Sequence, residues 1–397
     1  MRAPPDPWTC PFCPLLCDAF GVAAGDDGRW ALRGSDCPRA AAGLARFGSA
    51  PATATPTLRG TPCDLSTAVA AAARLLAASA QPLFGGLATD VAGARALYPL
   101  ACACGAICDA GGGDALTQGV RALQDRGGYS TTLAEVRTRA ELLLSVGGPL
   151  PSAHGAYPEF CNRIGIQPDD PRVVVLGADS DVHRAAAALA AAVEARASDA
   201  SSTAIAQRLL AARYAVIVYE TRHLGVHGAL VIEMLQRVVA TLNRSTRAAV
   251  LALGGGEGSA TVNAVFTWLS GLPLRSRAGL HGIEHEPLLY DTERLLADGA
   301  VDLLLWIASY GTEAAPPASA ARLPRIVLGH PKWAAADLDV YIPVATPGIG
   351  SDGHRFRTDG AVLMPLHALH ALRVETLPNV ADVLRAVSAA MPVEAAA

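Results

Sequence analysis

Between residues 82 and 328 the chain repeats one pattern: a short apolar run, a turn, then an alanine-rich stretch of helical length. Apolar runs fall at 82–87, 142–146, 173–176, 214–219, 249–253, 301–307 and 325–328. Helical stretches lie near 64–78, 90–108, 182–196, 202–212, 226–243, 259–269 and 288–298. Strands that are apolar throughout are buried on both faces, and helices between them supply the crossovers that parallel pairing needs. The pattern predicts an α/β fold of mostly parallel sheets covered by helices on both faces. Asp64, just ahead of Leu65, Val69 and Leu76, is placed to cap the first helix. Turns and glycines dominate 342–365, and a last helix is expected at 379–390.

Ahead of this region stand Cys10, Cys13, Cys17 and Cys37: C-x2-C-x3-C, then a fourth cysteine after nineteen intervening residues. Pro11 and Pro14 stiffen the loop. Four thiolates converging from one loop and one later turn form the ligand set of a tetrathiolate centre. Zinc suits such a cage, and the x3 step with the long return to Cys37 suits a four-iron cluster better. The bland alternative is a set of buried free thiols or disulfides. Short strands are expected at 19–22 and 29–32, around the turn Gly25-Asp26-Asp27-Gly28, within a small domain over residues 1–60 that ends in a linker at 49–62.

Composition removes several function classes. Among 397 residues, 51% are hydrophobic and 17% charged, so there is apolar surface enough for more than one core. A net charge of -4 offers no basic field for nucleic acid or anionic lipid, and 5% aromatics supply no base-stacking platform. No apolar run reaches the roughly 18 residues of a membrane helix; Arg74, Arg184 and Glu194 interrupt the richest alanine stretches. The opening twelve residues hold prolines and Cys10 where a signal peptide needs an apolar core. Nine cysteines without such a signal point to a reducing compartment, hence the cytoplasm.

Other motifs carry less. Gly254-Gly255-Gly256-Glu257-Gly258 and Gly147-Gly148-Pro149 both follow apolar runs, and ligands in open parallel sheets sit beyond such strand ends. Glu257 opposes phosphate binding, so a plain strand-to-helix turn is the better reading of the first. Cys102, Cys104 and Cys108 are expected on one apolar helix as buried thiols. His281 and His285 make a loose acid–base or metal pair. His154, His223, His227, His330 and His354 are scattered and read as structural. The polar loop from Asp352 to Gly360 contacts a cofactor or partner, or is a solvated hairpin. No G-x-S-x-G elbow or phosphate-loop lysine is present; Lys332 is the single lysine.

Taken together, several stretches carry a resemblance to a known family. They are Trp8-Thr9-Cys10-Pro11-Phe12-Cys13-Pro14-Leu15-Leu16-Cys17-Asp18; Asn263 with Thr267-Trp268 and Gly271-Leu272-Pro273; Asp339-Val340-Tyr341-Ile342-Pro343-Val344; and Gly348-Ile349 through Asp359-Gly360. The chain resembles the molybdopterin oxidoreductases, most closely the B-type component of formylmethanofuran dehydrogenase, over nearly its whole length. The resemblance implies a [4Fe–4S] cluster on Cys10, Cys13, Cys17 and Cys37. It also implies a cysteine thiolate ligand to a tungsten or molybdenum pterin near residues 107–116, where this chain reads Ile107-Cys108-Asp109-Ala110-Gly111-Gly112-Gly113-Asp114-Ala115-Leu116. Asp114, a hard ligand in a glycine-flexible loop, stands about where the soft thiolate belongs, and Cys108 lies several residues early. The family's catalytic arginine falls about where His281 stands, which makes His281 and Asp114 the weak catalytic candidates.

These losses are similar to the bacterial branch, whose B-type component is part of the formyltransferase/hydrolase complex of tetrahydromethanopterin-dependent one-carbon oxidation. The implied role is a scaffold without tungsto- or molybdopterin. Its implied partners are a zinc hydrolase subunit, a formyltransferase subunit and a C-type subunit, with no nucleic acid and no membrane. The alternative is a redox-active formylmethanofuran dehydrogenase subunit with both cofactors. The implied domains are a cysteine domain at 1–60, a discontinuous α/β domain at 61–135 and 280–397, and an inserted α/β domain at 136–279.

Overall fold

A computed structural model describes residues 8–25, 29–47, 54–150, 157–167, 169–178, 181–311, 315–333, 338–369 and 377–392. Asp26, Asp27, Gly28, the start of the expected linker and His154 lie outside these residues. The chain divides into two compact units. The larger holds Met1–Gly113, Gly255–Phe356 and Leu363–Ala397; the smaller holds Asp114–Gly254 and Arg357–Val362. The inserted unit thus begins and ends earlier than 136–279, and the cysteine segment counts with the larger unit.

The larger unit is built on a nine-stranded sheet. Its centre is parallel: Ile107–Cys108, Pro82–Ala88, Leu303–Ala308, Arg325–Gly329 and Val340–Pro343 lie side by side in that order. All seven residues of Pro82–Ala88 and all six of Leu303–Ala308 are buried, as strands covered on both faces must be. The glycines in the first of these strands have a steric reason. Trp306 on the neighbouring strand lies over Gly85 and Gly86, where an added Cβ would come within 2.8 and 2.6 Å of its indole. Antiparallel hairpins finish both edges. Ser276–Gly279 with Gly282–His285 closes one; Thr57–Leu58 with Thr61–Pro62 closes the other. The second hairpin lies inside the stretch expected as linker: short polar strands gave no apolar run to read.

The helices of this unit pack on one another in the order Leu65–Ala78, Val380–Ala390, Val91–Cys104, Ser259–Ser270. Asp64 caps the first through Thr67 N, as expected, and Asp90 caps the second through Gly93 N. The expected helix at 90–108 stops at Cys104, because Gly105 takes the left-handed conformation of a helix C-terminus. Cys108 therefore sits on a strand, not with Cys102 and Cys104 on the helix.

The smaller unit is a four-stranded parallel sheet, in the order Arg247–Leu253, Tyr214–Glu220, Leu142–Val146, Val173–Leu176. Its core joins Leu144, Ile217 and Val250 to Leu189, Val231 and Leu235 of the helices Val182–Val193 and Gly228–Leu242. Both glycine turns leave the carboxyl edge of this sheet, with Tyr214–Glu220 between their strands. Among the described residues no helix is long and apolar enough to cross a membrane.

Candidate functional site: the cysteine loop and the buried charges of the larger unit

The cysteine loop is closed by its own backbone. Cys10 N donates to Cys17 O at 2.8 Å and Leu16 N to Cys13 O at 3.2 Å, with Leu16 at φ +43. Cys37 precedes the helix Pro38–Ala45 without using its side chain as a cap, which leaves the thiol for the loop. All four thiols are buried at 5% exposure or less. Burial pushes the Cys10 thiol well above its ordinary range, and the fields of Cys13, Cys17 and Cys37 all add to it. Burial likewise raises Cys13, opposed by the positive fields of Arg39 and Arg355.

The donor chemistry of the loop fits a thiolate-held centre. Among the described residues, however, no three His, Cys, Asp or Glu side chains are disposed around a point where one metal ion would sit. A single zinc ion draws its sulfurs to about 2.3 Å. A four-iron cluster takes its four thiolates on separate irons, and Cys10, Cys13, Cys17 and Cys37 supply that number of sulfur donors.

The loop is moored to the sheet by packing. Trp8 Nε1 donates to Gly348 O at 2.8 Å. Phe12 lies across Gly43, whose missing side chain makes the room: a Cβ there would meet the ring at 2.3 Å. Phe12 stacks near Phe47, and Phe47 packs on the His330 ring at 4.8 Å between centroids.

Beneath the loop lie the carboxyl ends of the central strands and the hairpin Gly353–Phe356 with Leu363–Leu366. The sequence left the 352–360 loop open between a contacting loop and a solvated hairpin. It is a hairpin solvated on one face: Asp352, His354 and Gly360 are exposed, while Gly353, Arg355 and Arg357 are buried. Arg355 is 1% exposed and is the largest fully buried side chain described. Its Nη1 donates to Pro11 O at 2.7 Å, its Nη2 to Gly256 O at 3.0 Å, and its guanidinium lies 4.5 Å from the centroid of the Tyr310 ring. Gly258 presses on the end of the Pro82–Ala88 strand, where a Cβ would come within 2.4 Å of Thr89 O. The Gly254–Gly258 stretch is thus a packed strand-to-helix turn, as the sequence favoured. Sequence reading missed Tyr310 and the burial of Arg355; an arginine inside a glycine-rich polar loop looks solvated.

The stretch around Asp114 is equally informative. Asp114 is exposed in the first turn of the helix Gly113–Arg126. The fixed carboxylate is its neighbour Asp109, which accepts from Thr292 N at 2.9 Å, Thr292 Oγ1 at 2.8 Å and Arg275 Nε at 3.2 Å. Arg275 also donates to Asp291 at 2.7 Å and to Pro287 O at 2.6 Å. Cys108 is fully buried, its thiol pushed up by burial, and its nearest acceptor is Ala106 O at 3.9 Å. His281 is exposed at the turn of the 276–285 hairpin, while His285 Nδ1 lies 3.0 Å from Arg275 O. The structure therefore does not gather Asp114, Cys108 and His281 into one constellation.

No protein-family model matches the chain. Over 238 residues it is 35% identical to the B-type component of the formyltransferase/hydrolase complex Fhc of Methylorubrum extorquens. That match covers 55% of this chain and 65% of the length of that relative. In three dimensions it matches a chain of the crystal structure of the formyltransferase/hydrolase complex from the same organism, solved with methylofuran. There the TM-score is 0.74 and the identity 29%, with 84% of this chain and 97% of that one covered. In sequence the chain is similar to the B-type component of the formyltransferase/hydrolase complex, and in fold to a chain of that complex.

Proposed function

We propose that the chain is the B-type component of a cytoplasmic formyltransferase/hydrolase complex, where it acts as a scaffold for tetrahydromethanopterin-dependent oxidation of one-carbon units to formate. The observation that carries this reading is the fold match to a chain of such a complex over nearly all of that chain. Its partners are then a zinc hydrolase subunit, a formyltransferase subunit and a C-type subunit. Nine cysteines, none of them in a disulfide among the described residues, accord with a reducing compartment such as the cytoplasm.

Transfer and hydrolysis of a formyl group move no electrons, so a scaffold needs no pterin metal. The chain's own side chains agree. An exposed Asp114 and a buried, protonated Cys108 offer no soft thiolate where the oxidoreductases place one. Cys10, Cys13, Cys17 and Cys37 hold a [4Fe–4S] cluster in this reading. Their retention is the one observation that favours the redox-active alternative.

The test is to purify the complex from cells with and without this chain, assay formate release from the formyl donor, and analyse its metals and pterin. The expected result is co-purification with the hydrolase and transferase, loss of assembly without the chain, iron and sulfide present, and no tungsten or molybdenum. Stoichiometric pterin with either of those metals establishes the redox alternative. A chain that fails to co-purify removes the scaffold reading.

A further inference from the structure

We infer that Arg355 is the internal counter-cation of the cysteine centre: it holds the Cys10–Cys13 turn by its carbonyl and offsets the negative charge of the metal-bound thiolates. This rests on the proposal that the four cysteines hold a metal centre.

Among the described residues, Arg355 is a buried cation with no carboxylate bonded to it. Arg355 is 1% exposed, yet among the described residues no carboxylate lies within salt-bridge distance of its guanidinium. Its bonds go to two neutral carbonyls and the face of a tyrosine, and its Nε has no acceptor. Asp90 and Glu257 are near enough to act on the Tyr310 hydroxyl. Asp90, however, turns its oxygens to Gly93 N at 2.9 Å and His354 N at 3.4 Å. An arginine cannot neutralise itself by losing its proton, and burying an unpaired charge costs several kcal/mol. Four protonated thiols return none of that. Four thiolates around a cubane cluster carry net negative charge and do.

The geometry singles out this arginine. Its Nη1 reaches Pro11 O, inside the turn that spaces Cys10 from Cys13, and its positive field falls on Cys13. The hairpin that carries it is fixed on both sides. Phe356 N donates to Thr261 Oγ1 at 3.0 Å, and the Phe356 ring meets Trp268 edge-on at 5.3 Å. Gly256 O, the second acceptor, belongs to the turn pressed against Thr89. The guanidinium is therefore held beside the loop by a rigid frame. Arg355 touches no substrate; it is a positioning residue.

The experiment compares wild type, Arg355→Lys and Arg355→Met in the full chain for iron, sulfide and zinc content, for the rate of metal loss to a chelator and, where iron is bound, for the midpoint potential. Partners around a metal's ligands are worth about 10–100-fold in affinity. Arg355→Met is expected to lose metal about 10-fold faster or more, and a cluster in it to be harder to reduce, because reduction adds negative charge. Arg355→Lys keeps the cation and is expected to stay close to wild type in potential, which separates charge from folding if the methionine variant does not fold. Unchanged metal content, release and potential in Arg355→Met overturn the inference and leave the metal centre standing. Wild-type protein with no iron, sulfide or zinc removes the centre itself, and the inference with it.

Discussion

The Arg275 network allows a stability prediction with a sign. In Arg275→Met the guanidinium is removed while a Cβ is kept, so the backbone at φ +64 carries the same strain before and after. The bonds lost include those to Asp109, Asp291 and Pro287 O. Asp291 is 23% exposed on its side chain and regains water; Asp109, at 3%, does not. Breaking a buried pair from one side costs about 3–5 kcal/mol. The two Thr292 bonds that remain on Asp109 place the expected loss at the lower end, about 3 kcal/mol, or roughly 6–12 °C in Tm for a unit of this size. The loss also depends on pH. Burial holds Asp109 above the usual carboxylate range even with Arg275 present, and Arg275 is the foremost influence opposing it. Without Arg275 the folded-state value rises further above the unfolded value of about 3.9. The folded protein then binds that proton more tightly than the unfolded chain, so stability is gained as pH falls through the folded value. The deficit of the variant against wild type, read from thermal unfolding, is expected to shrink between pH 7 and pH 5. A deficit below about 1 kcal/mol, or one equal at both pH values, refutes the argument from a stranded charge and leaves only lost packing.

Two other perturbations follow from the same unit. Cys13→Ser is expected to speed proteolytic cutting within residues 8–47 while the α/β body resists; an unchanged digestion pattern counts against a filled cysteine site. His330 is buried, and burial, with Arg46 and Lys332 behind it, lowers its pKa to about 4. As pH falls from 6.5 to 4 the unfolded chain takes up a proton that the folded one refuses, which removes on the order of 3 kcal/mol of stability. His330→Asn keeps an acceptor for Lys332 N and is expected to flatten that part of the stability profile relative to wild type; a parallel profile sinks the assignment.

The parts of the fold that were legible were those with an unambiguous period. Leu142–Val146 and Val173–Leu176 fall where the apolar runs stand, and Asp64 caps the helix it was expected to cap. What stayed hidden was set by long-range contact. Thr57–Leu58 is a strand because Val340–Pro343 offers an edge to pair with, not because its residues favour one. Gly105 ends a helix in the midst of an apolar run that read as continuous. Asp109 and Arg275 meet across a separation of 166 positions, and nothing local to either marks it as buried. The four cysteines were legible as a set because their spacing is short; the arginine that faces them comes from the far end of the chain.

On the proposed reading, a scaffold without a pterin metal still has a use for a cysteine centre. Residues 8–47 contribute one two-stranded ribbon, Gly21–Ala24 with Trp30–Arg33, and one helix of eight residues. A segment of that size has too little apolar surface to order itself, and small segments of this kind depend on a metal or another staple. Its moorings to the sheet include the Trp8 bond to Gly348 O, the Phe47 ring on His330, and the Arg355 bond to Pro11 O. A thiolate centre adds one crosslink joining the loop to the start of the helix Pro38–Ala45, and the binding energy of the centre becomes folding energy of the segment. On that reading the four cysteines serve the fold of the segment whether or not the chain carries electrons. The same logic places Arg355 in the fold and not in the chemistry, since a stapled loop bearing negative charge needs a cation beneath it even when no electron passes.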